Sequence, residues 1–82
     1  MQKVDQAIHH YREAVRLNDQ NIDAYLSLGN VQIDSGKFDD ATETFQKVLE
    51  LDPENYMAQQ GILRVQQSQK WMEDPILLYS LI

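Results

Sequence analysis

The stretch that decides the fold runs from Ile22 to Asn55 and reads IDAYLSLGNVQIDSGKFDDATETFQKVLELDPEN. Apolar residues recur in its second half at spacings of three and four, at Ala41, Phe45, Val48 and Leu49. A similar series fills its first half, at Ala24, Tyr25, Leu28, Val31 and Ile33. This spacing indicates amphipathic helices. Gly36 predicts a turn between them, and Pro53 predicts the end of the second helix. We therefore predict a helix A over about 22–35 and a helix B over about 38–51.

The helix B pattern occurs twice in the chain. When the sequence is shifted by 34 positions, residues 4–21 lie over 38–55 with identities at Asp5/Asp39, Ala7/Ala41, Leu17/Leu51 and Asn21/Asn55. Most other apolar positions also match, such as Tyr11 over Phe45. A fixed period of this length indicates a repeat architecture. Residues 1–21 therefore predict a further B helix, over about 3–18.

The unit resembles a tetratricopeptide repeat. The residues that carry the resemblance are Ala24, Tyr25, Leu28, Gly29, Gly36, Phe38, Ala41, Phe45, Leu49, Leu51 and Pro53. The resemblance implies that small residues let the two helices approach closely and that aromatic residues fill the space between them. The unit departs from the family at Gln32, where an aromatic residue is usual, and at Val48, where alanine is usual. We expect looser packing at these two positions.

Residues 56–82 align with 22–48 as a divergent copy of the unit. Leu63 replaces the small residue at the close contact between helices, and Pro75 replaces the alanine of helix B. Proline is tolerated in the first turn of a helix. We predict a helix over about 57–70 and a short closing helix over about 75–82.

The predicted fold is a single all-α domain of about five antiparallel helices. It consists of a partial repeat at 1–21, a full repeat at 22–55 and a divergent terminal repeat at 56–82. The resemblance implies that these helix-turn-helix units stack in a right-handed superhelical strip. Since the chain starts and finishes within a repeat, we expect it to belong to a longer array.

Composition and charge argue against several classes of function. The chain has no cysteine, which excludes disulfides, thiolate metal sites and cysteine nucleophiles. Its net charge of −6 opposes nucleic-acid binding, which needs clustered basic residues. The longest apolar run, 76–79, is far shorter than the roughly 18 residues of a membrane span. We predict a soluble, cytoplasmic protein without nucleic-acid partners or membrane insertion.

The sequence offers no convincing catalytic or metal-binding arrangement. Asp5, His9 and Glu13 share one helix face, which is a weak geometry for a metal. His9 and His10 point about 100° apart on a helix and cannot share one ligand. A solvated outer face accounts for all four residues. We predict no enzyme activity, no cofactor and no metal.

The resemblance implies a ligand surface on the concave face, which is lined by the A helices. The residues expected there are Asp23, Leu26, Asn30, Ile33 and Asp34 from the full repeat, and Met57, Gln60, Arg64, Gln67 and Ser68 from the next unit. Residues 22–55 contain two lysines and eight Asp or Glu residues, so they account for the whole net charge. Because carboxylates lie beside apolar side chains in this set, we predict that the partner is an apolar or basic helix or extended segment of a protein.

Two alternatives remain open from the sequence. Six of the seven residues at 76–82 are apolar, and the first B helix lacks its own A helix, so Tyr11 and Ala14 should be poorly covered. Such surfaces favour self-assembly into a homo-oligomer. The residues expected to mediate it are Trp71, Ile76, Leu78, Tyr79 and Ile82. The second alternative is a segment that presents substrates to the catalytic domain of a larger enzyme.

Overall fold

The computed structural model describes residues 2–73 of the chain, and the side chains of residues 3–69. It contains the helices α1 (Gln2–Leu17), α2 (Ile22–Asp34), α3 (Phe38–Leu51) and α4 (Tyr56–Glu73). Residues 2–73 include no strand, and the predicted all-α class is confirmed. The predicted closing helix at 75–82 lies outside the described residues. The structure therefore describes four helices where we predicted about five.

The A helices α2 and α4 begin in the same way. Asn21 Oδ1 accepts a hydrogen bond from the Ala24 backbone N–H at 3.1 Å, and Asn55 Oδ1 accepts one from the Ala58 N–H at 2.9 Å. Asparagine at this position satisfies one of the backbone donors that a helix start leaves without a partner. The identity Asn21/Asn55 in the sequence repeat therefore marks the starts of α2 and α4.

The turn between α2 and α3 depends on Gly36, whose φ of +78° lies in the left-handed region that favours glycine. Its N–H donates to the Ile33 carbonyl at 3.0 Å and closes the end of α2. At the other end of the unit, α3 stops at Leu51, directly before Asp52 and Pro53. Both boundaries agree with the sequence prediction.

The α4 helix continues to Glu73, beyond the predicted end near residue 70. In the alignment of the repeats, Lys70 lies over Gly36. Lysine lacks the easy access to positive φ that glycine has. The helix therefore continues through the segment that corresponds to the turn after α2.

The core is centred on Phe45 of α3, which is 1% exposed. A Cβ built on Gly29 of α2 would lie 2.6 Å from the Phe45 ring, and one built on Gly61 of α4 would lie 2.5 Å from it. Glycine is therefore needed on both sides of the ring. The close contact predicted at Gly29 is present. The sequence prediction did not assign Gly61 to the matching contact on α4, where Leu63 is instead 47% exposed.

The expected looseness at Gln32 and Val48 is not observed, because both side chains are buried, at 2% and 0% exposure. The Thr44 hydroxyl lies 2.6 Å from the Gln32 side-chain oxygen and 2.8 Å from the Asp40 backbone carbonyl, and can donate to either. A buried polar group is tolerated when it has such a partner. A hydrogen bond between α2 and α3 thus occupies the site where the family usually has an aromatic residue.

Candidate functional site

The predicted ligand residues lie on the two A helices, α2 and α4, which contact each other. We call the exposed side of this helix pair the α2–α4 face. It is defined by Asp23, Leu26, Asn30, Ile33 and Asp34 on α2 and by Met57, Gln60, Arg64 and Gln67 on α4.

A hydrogen bond joins the two helices at the middle of this face. The Arg64 Nη1 donates to the Asn30 Oδ1 at 3.3 Å. The two residues are 34 positions apart and occupy equivalent places in successive units. The structure therefore brings together Asn30 and Arg64, two of the residues predicted for the ligand surface.

Apolar and charged residues surround the Asn30–Arg64 pair. Leu26 and Ile33 are half-buried and pack against the core, while Met57 is 58% exposed. Asp23, Asp34, Gln60 and Gln67 are exposed, and the further predicted residue Ser68 is half-buried. The face thus combines an apolar floor, a polar centre and carboxylates near both ends of α2.

A cavity of about 420 Å³ adjoins the Asp34 end of the face. It is lined by Val4 and Asp5 at the start of α1, and by Asp34, Ser35 and Lys37 at the end of α2 and the following turn. Only Asp34 was a predicted site residue. The other four were missed because the cavity depends on how α1 is placed against α2, which no local spacing encodes.

The ion pairs of the described residues lie away from the α2–α4 face. The Arg16 Nη2 lies 2.8 Å from the Glu13 Oε2. The hydrogen bond and the positive charge of Arg16 lower the pKa of Glu13, and Glu13 raises the pKa of Arg16 in return. Arg12 and Asp40 form a longer pair, at 4.0 Å, between α1 and α3.

Two further findings concern metal-binding side chains and membrane-spanning helices. In the described part of the chain, no group of three or more His, Cys, Asp or Glu side chains is placed to hold a metal ion. Over the same residues, no helix has the length and apolar character needed to cross a bilayer.

The predicted self-association surfaces are only partly described. Tyr11 and Ala14 of α1 are half-buried, in agreement with the expectation that they are poorly covered. The side chains predicted to mediate self-association at the other end of the chain all lie outside the described residues: Trp71, Ile76, Leu78, Tyr79 and Ile82.

Comparison with known proteins identifies the family. The family model described as "Tetratricopeptide repeat" matches residues 1–68. The chain belongs to the tetratricopeptide repeat family. Repeats of this family generally mediate protein–protein interactions and are typically non-catalytic scaffolds.

Two curated relatives of this tetratricopeptide repeat chain are much longer proteins. The Small glutamine-rich tetratricopeptide repeat-containing protein 2 of Mycosarcoma maydis is 33% identical over 58 residues, which are 71% of this chain and 16% of that protein. The human Protein O-mannosyl-transferase TMTC1 is 25% identical over 71 residues, which are 87% of this chain and 8% of that protein. The chain therefore spans less than a fifth of the length of either relative.

Proposed function

We propose that this tetratricopeptide repeat chain is a non-catalytic scaffold that binds a segment of a partner protein on the α2–α4 face. The observation that carries the proposal is the hydrogen bond between Asn30 and Arg64, which joins polar groups of two successive units on an accessible surface. Leu26 and Ile33 lie on the same face and are only half-buried. Polar groups beside accessible apolar surface are the combination that peptide-binding grooves use.

Charge favours an apolar or basic partner. Asp23 lies in the first turn of α2 and Asp34 at its last residue, and both are exposed. The only lysines of residues 22–55 are Lys37 and Lys47, so this unit is strongly acidic. An acidic segment would be repelled, whereas a basic one gains in encounter rate and in specificity. We further propose that the face is concave and forms part of a right-handed superhelical strip.

Variants of the face test this proposal. A peptide-display library is selected against the wild-type chain, and the selected peptides are then titrated against Leu26→Ala, Asn30→Ala and Arg64→Ala. We expect at least one of these changes to weaken binding at least several-fold, because interface energy is concentrated in a few residues. Glu43→Ala and Gln46→Ala, both exposed on α3, serve as controls and should bind normally. Unchanged affinity in all three face variants would refute the assignment of the site.

Self-assembly is a second candidate, favoured by the half-buried state of Tyr11 on α1 compared with the 1% exposure of its counterpart Phe45. In this hypothesis the apolar residues of 71–82 in one copy cover α1 of another. Light scattering coupled to size exclusion should then show a concentration-dependent dimer, and truncation after Lys70 should abolish it. A strict monomer at high micromolar concentration would eliminate this candidate.

A third candidate is a substrate-presenting segment of a larger enzyme. It is motivated by the match to a relative that is named a mannosyl-transferase. Sequence flanking these 82 residues distinguishes it from the first, because a catalytic domain in the same polypeptide is required. A cytoplasmic location is also part of our proposal, and fractionation of cells that produce the protein would test it.

A further inference from the structure

The cavity at the Asp34 end of the α2–α4 face indicates which type of side chain the partner carries. We propose that it binds one lysine or arginine side chain of the segment that occupies the face. This inference rests on the proposed function and adds to it a specific subsite, with a defined charge and a defined distance from the apolar part of the face.

The lining of the cavity is complementary to a cation. Asp5 and Asp34 contribute two carboxylates, and Lys37 contributes a single ammonium group. The ion pairs of the described residues are Arg12–Asp40, Arg16–Glu13 and Lys47–Glu50, so neither lining carboxylate has a described cation within 4.0 Å. The Ser35 hydroxyl already donates to the Gln32 carbonyl at 3.1 Å, which leaves its oxygen as an acceptor. An incoming cation therefore finds an excess of acceptors.

The end of α2 adds a second reason for a cation to bind here. The carboxyl end of a helix carries partial negative charge, which basic residues usually offset. The last turn of α2 has no basic residue and instead ends on the carboxylate of Asp34. This arrangement is unfavourable in the free chain. A positively charged group in the cavity offsets the negative charge of the helix end and of the Asp34 carboxylate. Part of the binding energy therefore comes from this electrostatic attraction.

The cavity is large enough to admit one long side chain. Its volume of about 420 Å³ lies at the lower end of the range of ligand pockets. Val4 supplies an apolar wall against which the methylene groups of lysine or arginine can pack while the charged end reaches a carboxylate. Val4 is half-buried, so its side chain is accessible from the cavity.

The position of the cavity sets the spacing in the partner. Leu26 precedes Asp34 by eight residues, which is about 12 Å along a helix. An extended chain advances about 3.3 Å per residue and covers this distance in roughly four residues. An extended segment whose lysine or arginine lies in the cavity therefore places an apolar residue on Leu26 when that residue is about four positions away from the lysine or arginine. We infer that the face selects partner segments in which a basic residue and an apolar residue are about four positions apart.

The test uses the whole chain and two matched probe peptides. One is an extended, serine-rich peptide with a lysine and a leucine four positions apart, and the other carries norleucine, which keeps the methylene stem but lacks the charge, in place of the lysine. Binding is followed by shifts of the backbone amide resonances in two-dimensional NMR at low salt. We expect the lysine peptide to bind roughly two- to five-fold more tightly, as for an accessible ion pair. We also expect it alone to shift the amides of Asp34, Ser35 and Lys37.

Three variants locate the effect. Asp34→Asn and Asp5→Asn should each reduce the preference for lysine, measured as the ratio of the affinities of the two peptides for the same variant. Asp39→Asn changes the net charge equally but lies outside the cavity, and should keep the preference. Asp34→Asn should also leave the melting temperature unchanged or slightly raised, since it removes a carboxylate from the end of α2. A lower melting temperature would indicate a structural role instead.

The outcomes separate this inference from the proposed function. Equal binding of both peptides, with Leu26→Ala still weakening it, would overturn the cation subsite and leave the α2–α4 face intact. A preference for lysine that all three Asp variants reduce equally would also overturn it, because it would reflect net charge alone. Absence of binding by both peptides at millimolar concentration would overturn the subsite together with the face.

Discussion

Helices α1 and α3 carry the same apolar stripe at equivalent places in the repeat, but the stripe is buried to very different extents. In α3, Ala41 and Phe45 are 0% and 1% exposed, because α2 and α4 cover two sides of the helix. In α1, the counterparts Ala7 and Tyr11 are only half-buried. A stripe of this kind becomes a complete core only when both neighbouring A helices are present. Stability is therefore set by neighbouring helices, as in other repeat proteins.

The largest effect is expected when the central aromatic residue of each helix is replaced, which tests the difference in burial between α1 and α3. Phe45→Ala removes a fully buried ring and should lower the free energy of unfolding by about 3 to 5 kcal/mol. Tyr11→Ala removes a half-buried ring and should cost about half as much, since less area leaves water on folding. Urea denaturation followed by circular dichroism measures both. Equal losses would show that α1 is covered as completely as α3.

The second test concerns the residues that face these rings from the next A helix. Gly61 contacts Phe45, and the repeat places Ser27 of α2 at the equivalent position relative to α1. Gly61→Ser forces a side chain into the ring and should cost up to about 3 kcal/mol.

The reverse change, Ser27→Gly, should cost less than about 1 kcal/mol, through helix propensity alone. Thermal unfolding of both variants would reveal the asymmetry. A second variant, Gly61→Ser with Phe45→Leu, should recover part of the loss, because the smaller side chain makes room. If stability does not recover, the loss in Gly61→Ser does not come from a clash with the Phe45 ring.

The third test addresses the buried hydrogen bond that α3 has and α1 lacks, since Thr44 corresponds to the exposed His10. Thr44→Val leaves the Gln32 amide without this partner and should cost about 1 to 2 kcal/mol. Gln32→Leu combined with Thr44→Val removes both polar groups and should be close to neutral. A double-mutant cycle in urea gives the coupling. Additive losses would mean that the two side chains do not interact.

The smallest expected effect is the pH response of α1. Arg16 holds the pKa of Glu13 below its ordinary value of 4.5. A depressed pKa in the folded state contributes stability above the unfolded value, and this contribution disappears as the pH falls through the folded value. Glu13→Gln should therefore lower the melting temperature slightly at pH 7 and have no effect near pH 2. A difference that persists in acid would contradict the ion-pair explanation.

Much of the fold could be predicted because it depends on local patterns. The period of 34, the glycine turn at Gly36 and the stop at Pro53 located three of the four described helices to within one residue at each end. The extension of α4 to Glu73 was missed because the sequence pattern indicated only where apolar residues stop. The extension could have been predicted from Lys70, which stands where the full repeat has Gly36.

The candidate site could be predicted only in part. The resemblance to the family indicated which side chains point away from the core, and the structure brings Asn30 and Arg64 of this set together. The role of Gly61 and the cavity at Asp34 arise from contacts between helices that are distant in sequence. Such contacts depend on side-chain fit across helices, which the spacing of residues along the sequence does not reveal.

The position of Phe45 between two glycines also has a consequence for motion. Its ring is packed against the backbones of α2 and α4 at Gly29 and Gly61, where even a Cβ atom would overlap it. A flip of the ring about its Cβ–Cγ bond therefore requires the two A helices to separate briefly. The rate at which the paired ring protons of Phe45 exchange in NMR spectra would report directly on how often α2 and α4 move apart.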